Sequence, residues 1–85
     1  MITKEKSPVG WAMLMYELED AKEHLASLIE AMDTEPDFDE CELRIQLGHI
    51  YSHLNRAWHR RKADEDLSEQ AWQTASQFPD DLSPV

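Results

Sequence analysis

Residues 11–32, WAMLMYELEDAKEHLASLIEAM, decide the architecture. Trp11, Leu14, Leu18, Ala21, Leu25, Leu28 and Met32 recur at alternating spacings of three and four, a rhythm that lays them along one side of an α-helix. Ser7 and Pro8 stand just upstream. Serine caps orphan amides, and proline suits a first helical position, whose N–H has no partner in any case. The first helix is therefore predicted over residues 7–32. Asp33-Thr34-Glu35-Pro36-Asp37 interrupts the rhythm, because Pro36 lacks an amide donor and pushes the residue before it out of the helical region.

Downstream, Leu43, Leu47, Ile50, Leu54 and Ala57 repeat the same stepping. Asp37 or Asp39 can cap this segment, each with a glutamate three residues on, and Arg60-Arg61-Lys62 complements a helix C-terminus. A second helix is predicted over residues 38–62. Two long stripes joined by a short loop give an all-α fold, an antiparallel helical hairpin. After Lys62 the stripe changes phase, with Leu67, Ala71, Trp72, Ala75 and Phe78 on a new face. Residues 64–78 are read as a short third helix after a break near Ala63, or as a continuation of the second helix. Residues 79–85 read as a tail and residues 1–6 as loose, so the chain is a single domain over 1–85.

Folding about Pro36 sets residue i of the first helix opposite about residue 75 − i of the second, pairing Leu25 with Ile50, Leu18 with Ala57 and Met32 with Leu43. Beside this seam one flank carries Met15 and Ile29 opposite Tyr51 and Trp58, more apolar surface than two helices can cover. These four residues and Trp72 are the predicted interface. The expected cover is the third helix or a second copy, completing a bundle by homodimerisation. The other flank, Glu17 and His24 opposite Arg60 and His53, is expected to face water, with a Glu17–Arg60 ion pair across it.

Eighteen acids against eight bases leave a formal charge of −10, which repels polyanions and makes nucleic acid an unfavourable partner. Cys41 is the sole cysteine, so no disulfide can form within the chain, and the expected setting is the reducing cytoplasm. No apolar run approaches the ~20 residues that cross a bilayer, so no membrane partner is expected. A chain this short builds a small core, which again favours association with a second copy or another protein.

Chemistry has few candidates. Asp20 and His24 lie one turn apart on the first helix, as do His49 and His53 on the second, and the hairpin register brings all four to a similar height. Imidazole and carboxylate donors suit zinc or another divalent transition metal. No histidine has the glutamate three residues before it that a ferritin-like site uses. The doublets Glu17/Asp20, Asp20/Glu23 and Asp39/Glu42 do not follow the order found in helical nucleotide pyrophosphohydrolases. Arg44 and His49 form Arg-x4-His, which resembles the signature of the helical HEPN ribonucleases. That resemblance implies an arginine and a histidine acting on RNA phosphate across a dimer. The stretch His53 to Lys62, HLNRAWHRRK, mixes bases with Trp58 in the manner of a grip on phosphate or single-stranded nucleic acid. Given the acidic net charge it is read as Trp58 packing inside, with the bases covering a helix end or meeting acids of a partner.

With no catalytic set assigned, the sequence reads as a small acidic protein–protein interaction module that self-associates and needs no cofactor. The alternatives are a metal-binding or metal-dependent enzyme using Asp20, His24, His49 and His53, and a HEPN-like ribonuclease using Arg44 and His49.

Overall fold

The computed structural model describes residues 1–85 and contains helices and no strand. Helix α1 spans Pro8–Thr34, α2 spans Glu40–His59 and continues into a 3-10 turn at Arg60–Lys62, and α3 spans Glu69–Ala75. Pro8 opens α1, but Ser7 does not cap it: the Ser7 hydroxyl donates instead to the Asp64 carboxylate at 2.6 Å. Glu35, immediately before Pro36, is extended at φ −98°, ψ 111°, so α1 ends at Thr34, two residues past the predicted Met32. Of the two candidate caps for α2, Asp39 accepts from the Glu42 amide at 2.9 Å.

The predicted second helix over 38–62 contracts to Glu40–His59 plus the 3-10 turn, and Ala63 is extended at φ −93°, ψ 115°. The predicted third helix over 64–78 contracts further, to seven residues. Its first half is lost because acids there are recruited into tertiary bonds, Asp64 by Ser7 and Asp66 by Arg60 at 3.1 Å. Ser68 becomes the cap by accepting from the Ala71 amide. Residues 1–6 are not loose either: Ile2 is buried in a cluster with Leu14 and Ala57, and its amide donates to the Arg61 carbonyl at 2.7 Å.

α1 and α2 form an antiparallel pair close to the expected register, with His24 meeting His49 and Glu17 meeting Arg56. The pair is rotated about its long axes relative to the sequence reading. Ala21, Leu28 and Ile50 form the second buried cluster, while Leu18, Leu25, Leu47 and Leu54 stay 37–45% exposed at the edge of the seam. The flank expected to face water is the buried one. Glu17, His53, Arg56 and Arg60 are each under a tenth exposed, because cross-helix charge pairing draws the two helices together on that side.

α3 packs on α2 and not on α1. It is pinned to the side of α2 turned away from the leucine edge, where Asn55 Nδ2 donates to the Ser76 carbonyl at 2.9 Å and Arg56 Nη1 to the Ser76 hydroxyl at 2.7 Å. The third helix therefore covers the outer side of α2; of the apolar flank, Ile29 and Tyr51 stay exposed, while Met15 and Trp58 are half-buried and Phe78 and Asp81 reach Tyr51 and Trp58.

Candidate functional site

Glu17, Asp20 and His24 follow one another at steps of three and four on α1, and His49, His53, Arg56 and Arg60 at steps of four, three and four on α2. Each set occupies one helical stripe, and the hairpin presses the two stripes together. The Nε2 atom of His49 lies 3.1 Å from that of His24 and 3.2 Å from that of His53. The His24 and His53 rings lie nearly parallel, 17° apart with centroids 5.3 Å apart, and the His49 ring stands edge-on to both. One ring nitrogen from each histidine thus falls within 4.8 Å of the others. A carboxylate oxygen of Asp20 lies within 4.8 Å of ligand atoms of Glu17 and His53.

Behind the imidazoles sits a buried charge network. The Glu17 carboxylate accepts from Arg56 Nε, stands 3.0 Å from His53 Nδ1, and has Arg60 Nε at 3.9 Å. Arg56 Nη2 also approaches His53 Nδ1 at 3.1 Å, and the Arg56 guanidinium lies over the Trp72 ring, 4.3 Å from its centre. One carboxylate therefore serves two guanidiniums and an imidazole in an interior where unpaired charge is expensive. Arg60 reaches Asp66 through Nη2, while its buried Nε and Nη1 lack hydrogen-bond partners. The His49 pKa is held below the ordinary histidine value of 6.5 by partial burial and by the fields of His24, His53 and Arg56, with Asp20 opposing.

Of the predicted metal quartet, His24, His49 and His53 come together, whereas Asp20 groups with Glu17 and His53 and not with the other two imidazoles. Glu17 escaped the sequence reading as part of this cluster because it was assigned to a solvent-facing pair with Arg60. Its step of three to Asp20 and seven to His24 carried the signal. Of the predicted interface residues, Ile29 and Tyr51 are exposed and Met15 is half-buried. Trp58 is half-buried too, its indole N–H donating to Asp81 at 2.9 Å. Trp72 lies under the Arg56 guanidinium and is 42% exposed. Arg44 is exposed and, five residues from His49, sits about 140° around α2 from it.

Three of the four bases in the basic stretch are paired within the chain: Arg56 and Arg60 turn inward, while Arg61 stacks on Trp58 at 3.8 Å and pairs with Asp81 at 3.1 Å. Cys41 is a free, exposed thiol near the start of α2. No helix is long and apolar enough to cross a membrane. No protein-family model, curated protein or solved structure matches the chain.

Proposed function

We propose that this protein is a helical assembly module that associates with a second copy of itself through the leucine edge of its hairpin. The observation that supports the reading is an apolar face left open by the rotation of α1 against α2. Leu18, Leu25, Ile29, Met32, Leu47, Tyr51 and Leu54 are between 37 and 61% exposed on one side of the seam. Together they offer on the order of 600 Å² of side-chain surface, close to the ~800 Å² that each partner contributes to a standard stable interface. The same side carries a groove of about 390 Å³ walled by Leu14, Leu18, Leu54 and Trp58, with Met1 and Leu82 at its rim.

The interior supports the same conclusion. The buried apolar residues are Ile2, Leu14, Ala21, Leu28, Ile50, Ala57 and Ala75, three of them alanines, and no large side chain is fully buried. A core this slight leaves a lone chain marginal, and pairing the leucine edges of two hairpins would bury the larger side chains now at the surface. Net charge opposes association of two copies, so the interface should strengthen as salt screens it.

Sedimentation equilibrium checks the reading. The expected mass is twice 9.9 kDa at tens of micromolar chain. Replacing Ile29 and Tyr51 together with glutamate, two exposed positions that leave the seam intact, should weaken dimerisation at least about tenfold, or ~1.4 kcal/mol. A wild-type chain that stays at 9.9 kDa at high micromolar concentration refutes it.

A further inference from the structure

Going beyond assembly, we propose that His24, His49 and His53 form a binding site for a divalent transition metal of the zinc class, with Glu17 orienting His53 from behind. Two features of the geometry, independent of each other, lead to this assignment.

The first is the packing of the ring nitrogens. Around a tetrahedral ion held at 2.0–2.1 Å, imidazole nitrogens stand about 3.3 Å apart. His49 Nε2 lies 3.1 and 3.2 Å from its two neighbours and all three nitrogens fall within 4.8 Å of one another, so drawing His24 and His53 toward each other completes the spacing. Hydrogen bonding between the rings does not account for the arrangement as well. A neutral imidazole nitrogen either carries a proton or offers a lone pair, so His49 Nε2 cannot serve both neighbours with good geometry. A cation accepts a lone pair from each of the three.

The second is the support behind His53. With an ion at Nε2 the proton of this imidazole resides on Nδ1, and the Glu17 carboxylate stands 3.0 Å away to accept it. This carboxylate–imidazole–metal arrangement fixes the tautomer and ring angle of a ligating histidine. In that tautomer Arg56 Nη2, a donor 3.1 Å from the same Nδ1, turns away to keep its other partners, and its charge opposes the added ion. Glu17 and Asp20 offset it locally, and a water molecule can complete the coordination. Three nitrogens and at most one carboxylate select zinc, cobalt, nickel or copper over magnesium and calcium. His24 is half-buried and His49 exposed, so the ion has a path in from solvent.

Metal-stripped full-length protein titrated with zinc chloride in a calorimeter tests this, with magnesium chloride as the contrasting ion. The expected result is one zinc per chain and no magnesium binding. The melting temperature should rise by at least about 10 °C at a hundredfold excess over the dissociation constant. Cobalt(II) in place of zinc should give the intense visible absorption of a tetrahedral ion. His49→Ala alters an exposed residue and should keep the helical circular dichroism while losing at least about a hundredfold in zinc affinity. His24→Gln should lose affinity in the same way. Absence of zinc, cobalt and nickel binding to the wild-type chain overturns the site, as does zinc binding that His49→Ala and His24→Gln both leave unchanged.

Discussion

Glu17→Ala is expected to destabilise the fold by about 3–5 kcal/mol, the cost of removing one partner from a buried ion pair. Glu17 is 7% exposed, and its carboxylate is shared by Arg56, Arg60 and His53, which are themselves nearly inaccessible. Alanine at this position would leave two guanidiniums in the interior with only Asp66 and Ser76 to turn to. Water entering the gap can recover part of the loss, so the lower end of the range applies if α3 loosens. Glu19→Ala, two residues on and exposed, should change stability by no more than about 0.5 kcal/mol. Urea unfolding of both variants makes the comparison. A Glu17→Ala penalty below 1 kcal/mol would mean that the network is hydrated in solution. Arg56→Ala added to Glu17→Ala should cost far less than the sum of the two single changes, because each removes the other's reason to be buried.

Gly10→Ala is the second large expected effect, about 2–3 kcal/mol of destabilisation. Gly10 lies in the first turn of α1, against the chain that leaves α2, and its amide donates to the Asp64 carbonyl at 3.0 Å. A Cβ there would run into the Ala63 carbonyl, a backbone group that cannot turn aside as a flexible side chain would. Gly48→Ala provides the control. Nothing lies within 4 Å of a Cβ at Gly48, so the same substitution in mid-helix should stabilise by up to about 1 kcal/mol through helix propensity alone. In thermal melts the two variants should move in opposite directions, by several degrees each. A Gly10→Ala chain that melts no lower than the wild type would show that the crossing at Ala63 is looser than described.

The hairpin was legible because the stripes of α1 and α2 follow one rhythm and Pro36 punctuates them, so helix identity, loop and register all came from local pattern. The rotation of the helices was not legible. Hydrophobic spacing places leucines on a common face, but the helices settle toward Glu17, where one carboxylate gathers three cationic or polar groups from α2. That preference depends on distances between side chains 36 to 43 residues apart in sequence, and no periodicity encodes it. The histidine cluster was half legible: helical spacing brought His24, His49 and His53 to one height, while the support from Glu17 required knowing which flank is buried. The limits of α3 were hidden for a similar reason. Asp64 and Asp66 look like helix-surface acids until Ser7 and Arg60 claim them.

The bond from the Ile2 amide to the Arg61 carbonyl, together with Met1 and Leu82 on the rim of one groove, makes the fold almost a closed ring. Its two ends meet beside the α1–α2 crossing, and the loop at Pro36 is the opposite pole. Helix order is then incidental to the architecture. A circular permutant joined from Val85 to Met1 by a short flexible linker and opened between Glu35 and Asp37 would run α2, α3, α1 while keeping every helix pair in contact. In the native order the Ile2–Arg61 contact closes a loop spanning most of the chain, whereas in the permuted order the linker draws those segments together. The burden of long-range closure would pass to the α1–α2 pairing near Leu28 and Leu43, which Pro36 and its neighbours now hold at short range.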